Sequence, residues 1–154
     1  MGYVTHTRSV SAIVAALVVS TTTAVAQQGS SPVGRIKVLS GSAFIVRASG
    51  VVPAQLGQPL FEADGIRTAG GLVGFTLNDD TRVSLGANSE IRLDRFEYAP
   101  GEGRLAFLLK IVSGVTTYIS GRIARLSPDA VRIETPAAII GVRGTHLAID
   151  VGTP

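Results

Sequence analysis

The 154-residue chain has no cysteine and no tryptophan, one methionine, two histidines and few aromatic residues. Without cysteine there is no disulfide and no lipid-bearing thiol, so the chain must hold together by burial alone. Lysine occurs only at Lys37 and Lys110, and the remaining positive charge is arginine scattered among acidic neighbours. A chain with no basic run and almost no aromatic interleaving is not built for nucleic acid.

What is present begins with residues 1–26. "MGYVTHTR" carries Arg8 and no acidic group, "SVSAIVAALVV" is a short apolar run, and "TTTAVA" closes on the small-x-small step Ala24-Val25-Ala26. These three regions read as a helical signal peptide cleaved after Ala26, and hence as export to the periplasm. The apolar stretch Ala12 to Val19 is too short for a spanning helix, which needs about 20 residues. Residues 27–33 read as a flexible leader and 34–151 as one domain. No transmembrane segment is expected after signal cleavage.

From Gly34 onward the pattern has period two, interrupted by Gly, Pro, Asn and Asp. Such spacing predicts an all-β fold, a compact sandwich or roll of short, mostly antiparallel strands, and no segment shows helical periodicity. "RIKVLSG" places Ile36 and Val38 on one face. Asn78-Asp79-Asp80 divides two alternating runs and suits a tight hairpin. In "SEIRLDRFEY" the apolar parity slips at Asp94-Arg95, which predicts a bulge or bend. "RLAFLLKIV" is apolar on both faces and belongs in the middle of the sheet.

Chemistry-bearing residues are sparse. The chain beyond residue 26 holds one histidine, and no serine lies in a nucleophile elbow. The acidic pairs Asp79-Asp80 and Glu97/Glu102 sit at turns and read as solvated carboxylates. His146 and Asp150 share a strand face with backbones about 13–14 Å apart, too far for one ion. The "NDD" loop lacks the ligand pattern of a calcium loop. No enzyme activity, metal or cofactor is expected.

"GVRGTH" sets Arg143 between Gly141 and Gly144, beside Thr145 and His146. An arginine among apolar residues is either a structural guanidinium or one that faces a ligand. Read structurally, it pairs with a carboxylate, Asp64 first and Asp80 second.

The succession "ADGIRT" (Asp64 to Thr68), the hairpin from Leu77 to Leu85 containing Asp80, and "TPAAIIGVRGT" (Thr135 and Pro136 through Arg143, Gly144 and Thr145) resembles the FecR domain, with Ala63 where the motif has glycine. The likeness runs over residues 34–151. In regulators of that family the domain is the periplasmic part of an inner-membrane protein that listens to an outer-membrane receptor and controls a sigma factor through a cytoplasmic segment. The resemblance implies a non-enzymatic module of the cell envelope, with an envelope protein as partner in signal relay. Here a signal peptide stands where the sigma-binding segment would be. A glycan- or cell-wall-binding module is the alternative, and it would need exposed aromatic rings such as Tyr98 or Tyr118.

Overall fold

The computed structural model describes Gly2 and residues 30–144 and 146–152. The signal peptide, the first part of the leader and Thr145 therefore lie outside the described residues, Gly2 aside.

Among the described residues ten strands form one sheet. They are β1 (Gly34–Arg47), β2 (Gly50–Pro53), β3 (Pro59–Leu60), β4 (Gly65–Leu77), β5 (Arg82–Leu85), β6 (Glu90–Ala99), β7 (Arg104–Ile119), β8 (Val131–Glu134), β9 (Ile139–Gly141) and β10 (His146–Val151). The order along the sheet is β2-β1-β4-β5-β7-β8-β9. Strands β4 and β7 are long enough to serve two neighbours along a single edge. Residues 65–67 of β4 pair with β6 and residues 73–76 with β5; β7 pairs with β6 through its first half and with β5 through its second. β4, β5, β7 and β6 thereby close a ring around an apolar core. On its other side β7 holds β8 in parallel along Phe107 to Lys110, then β10 antiparallel along Gly114 to Ile119. The apolar segment read as central is thus β7.

In the core Ile36, Ile45, Ile66, Phe75, Leu85, Ile91, Leu93, Leu109, Ile111 and Tyr118 are fully or almost fully buried. Phe107 meets Phe96 edge-on at 6.4 Å and Tyr118 at 5.7 Å. Burial of this kind is the main source of stability for a domain without disulfides. It also pushes the pKa of the Tyr118 hydroxyl above the usual tyrosine value, so the side chain stays neutral in the core.

The parity slip at Asp94-Arg95 is a bulge: Leu93 pairs with Leu109 and Arg95 with Leu108, leaving Asp94 as the extra residue. A second bulge corrects the face read for β1. Ile36 pairs with Phe75 and Val38 with Gly74, so Lys37 is the extra residue, and Val38 turns outward to 49% exposure while Ile36 is buried. One inserted residue inverts the facing of everything after it, and simple alternation cannot show where that happens.

Two further readings change. A short helix, α1 (Arg122–Leu126), follows β7 and buries Ile123 and Ala124; five residues are too few to display a helical period. The leader reading also reaches too far. Val33 is in the core and donates its N–H to the Leu60 carbonyl (2.8 Å), so packing begins one residue before β1.

Candidate functional site

The "ADGIRT" turn is built around Asp64, whose side chain is 4% exposed. Its Oδ1 accepts from Arg47 Nε (2.8 Å), and its Oδ2 accepts from Arg47 Nη2 (3.0 Å) and from the Phe61 N–H (2.9 Å). Arg47 Nη2 also donates to the Pro59 carbonyl, and the guanidinium lies 4.9 Å from the centroid of the Phe61 ring. A forked, charge-assisted pair of this kind fixes both partners' orientation. It ties the end of β1 to the turn that starts β4. Arg47, Phe61, Glu62 and Asp64 line an open cleft of about 490 Å3. In it Arg47 and Asp64 hold each other, and Glu62 Oε2 accepts the Phe96 N–H (2.9 Å) beside the β6 bulge.

This geometry overturns the expected partnership of Arg143. Asp64 belongs to Arg47, and Asp80 pairs with Arg122 at 2.9 Å on the surface. Arg143 is exposed, and in "GVRGT" it is Val142 that is buried. The reason is the corner itself. Gly144 adopts a left-handed backbone (φ 46°), which redirects the chain from β9 to β10 and leaves the intervening arginine in solvent. Arg143 lines a cleft of about 520 Å3 with Pro128, Asp129, Arg132 and Gly141.

The other motif residues hold backbone. Thr68 Oγ1 donates to the Gly86 carbonyl (2.6 Å) and accepts the Ser89 N–H (2.9 Å). Ser89 Oγ in turn accepts the Val115 N–H (3.0 Å). Thr68 and Ser89 therefore link β4, the 86–89 loop and β7 through buried hydroxyls. Thr135 Oγ1 accepts the N–H groups of Ala137 and Ala138, and the Thr135 N–H reaches the Ala138 carbonyl (2.8 Å). Pro136 sits exposed inside that turn between β8 and β9.

In the "NDD" hairpin the two carboxylates diverge. Asp80 takes the left-handed position (φ 68°) and is exposed, as a tight turn requires. Asp79 is fully buried, contrary to its reading as a solvated loop residue. Its carboxylate accepts from the Thr81 N–H (3.0 Å), the Thr81 hydroxyl (2.8 Å) and the Ile123 N–H (3.2 Å), and its carbonyl accepts the Arg122 N–H (2.7 Å). It thus caps α1 from the hairpin tip. Nearby, the Tyr98 hydroxyl and then the Asp80 carboxylate hold the Arg122 guanidinium in its charged form.

The geometry therefore gathers Asp64 with Arg47, Thr68 with Ser89, and Asp79 with α1, and it leaves Arg143 apart from all three. Arg47, Asp79 and Ser89 carry these arrangements without standing out in the sequence. Only the turn formers around Asp79 and Ser89 signal them. Among the described residues no aromatic ring is exposed: Phe44, Phe61 and Tyr98 are half-buried and the others buried. A stacking platform for sugars, of the type Tyr98 or Tyr118 would supply, is not formed by them. No described group of His, Asp and Glu is arranged to hold a metal ion.

The family model described as FecR protein matches residues 64–153, more than half of the chain. Its span begins at Asp64 and leaves β1, β2 and β3 outside. No curated protein and no solved structure matches the chain.

Proposed function

Because the chain belongs to the FecR protein family, we propose that it works as a non-enzymatic interaction module of the bacterial cell envelope, exported to the periplasm and engaged in signal relay with an envelope protein. The observation that carries this reading is the use made of the family motifs. Asp64, Thr68 and Thr135 spend their polar atoms on backbone and on Arg47, so the motifs build a scaffold whose loops and strand edges remain for contact. No helix among the described residues is long and apolar enough to cross a membrane.

Site-specific photo-crosslinking from the exposed Arg143 and Leu56 positions in living cells, followed by mass spectrometry, tests the proposal. A specific envelope protein captured from either position supports it. Failure to recover any specific protein across growth conditions, or recovery of the chain only from the cytoplasm, overturns it.

A further inference from the structure

Among the described residues four strands pair on one side only: β3 is two residues long and starts at Pro59, and β2, β9 and β10 differ from it and from one another. β2 carries Pro53 and is short, and β9 is shorter still and ends in Gly141. β10 runs from His146 to Val151 with no proline, lysine or bulge, the devices that usually blunt an edge. Among the described residues it pairs only with β7.

The direction of its backbone groups follows from the ladder. The Val115 carbonyl accepts the Gly86 N–H and its own N–H goes to Ser89, so Val115 faces the β5 side of β7. Alternation then turns Gly114, Thr116 and Tyr118 towards β10, where they meet Val151, Ile149 and Leu147. The N–H and C=O groups of His146, Ala148 and Asp150 consequently point to the open edge. Their side chains are exposed on the outer face, while Leu147, Ile149 and Val151 are half-buried against the core.

We infer that β10 is the contact through which a second copy of this chain adds, antiparallel and edge to edge, about a two-fold axis at Ala148. The strand reads as its own complement. Pairing about Ala148 sets the His146 imidazole opposite the partner copy's Asp150 carboxylate, twice by symmetry, and Leu147 opposite the partner copy's Ile149 on the inner face. Ala148 meets its own equivalent with no bulk between the strands. All three outward-pointing residues then exchange backbone hydrogen bonds, which no neighbouring register allows. A histidine facing a carboxylate, to which a ring N–H can donate, and apolar residues directly across a pair are stabilising cross-strand combinations, and an isologous contact closes at the dimer.

Sedimentation equilibrium of the protein, purified in the form in which it accumulates in the cell, tests this. The expected mass is twice that of the chain, with concentration-dependent dissociation. His146→Asp places Asp opposite Asp, and Asp150→Lys places His opposite Lys; each alone should lose the dimer, and an equimolar mixture of the two should restore it. Ala148→Pro removes a donor that points away from β7, so circular dichroism should be unchanged while the mass falls to one chain. A monomer at every concentration overturns the inference, as does a dimer that survives Ala148→Pro or a mixture that stays monomeric.

Discussion

Arg47 and Asp64 form a two-pronged ion pair, Nε to Oδ1 and Nη2 to Oδ2, with the carboxylate side chain buried and the arginine side chain 27% exposed. Removing one partner strands the other. Arg47→Ala should destabilise the fold by about 2–4 kcal/mol, below the top of the range for buried pairs because part of Arg47 is hydrated. Arg143→Ala, in solvent, should stay within about 0.5 kcal/mol. Urea unfolding of both variants checks the contrast, and a large loss at Arg143 would contradict it.

Thr68 offers a sharper test, since its hydroxyl both donates and accepts. Thr68→Val keeps the shape and leaves the Ser89 N–H without an acceptor, which should cost about 1–3 kcal/mol. Thr68→Ser should recover most of that. Thermal melts of the two variants distinguish a lost hydrogen bond from lost packing.

The two aspartates of the 78–80 hairpin should separate cleanly. Asp79→Ala withdraws the acceptor of three donors and the cap of α1, a loss of about 2–4 kcal/mol when unsatisfied buried donors and a lost cap combine. Asp80→Ala breaks only an exposed ion pair to Arg122, worth about 0–1 kcal/mol. Equal losses in chemical denaturation would show that Asp79 is not the capping group.

Ala63 has a left-handed backbone (φ 69°) at the position where the family motif has glycine. A non-glycine residue there costs about 1–2 kcal/mol, partly offset by glycine's greater freedom in the unfolded chain. Ala63→Gly should therefore raise stability by up to about 1 kcal/mol, and Ala63→Val should lower it. Calorimetry of both substitutions reads the sign directly.

Gly114, at the bend of β7, also has positive φ (79°), and a Cβ there would collide with Ser89. Gly114→Ala should disturb the junction between Ser89 and Val115 and lower the midpoint of unfolding more than any exposed substitution does. An unchanged midpoint would mean that the bend can open at no cost.

The sequence carries the strand alternation, the bulge at Asp94 and the left-handed Asp80, because each is written in neighbouring residues. The partner of Asp64 is not written there. Arg47 lies in another strand, and only the β1–β4 register brings it to the turn; Arg143 looks equally suitable in sequence because its neighbours are apolar. The bulge at Lys37 is hidden for a related reason, since Val38 is hydrophobic yet points outward. Ser89 and Asp79 sit in loops whose composition announces a turn without saying which polar atom is buried. The motifs mark the right segments, and long-range pairing decides what those segments do.

The ring that β6 closes by touching both β4 and β7 has a consequence for assembly. When the N-terminal end of the domain is available first, β1, β4 and β5 can form hairpins among near neighbours, but the core they share has no far wall until β7 follows. Contacts between segments this far apart close slowly. Until then Ile66, Phe75 and Leu85 face water on a partly built sheet with open edges, the state in which β proteins aggregate. The order of the strands along the chain thus places the protein's most vulnerable moment just before Leu109 and Ile111 join.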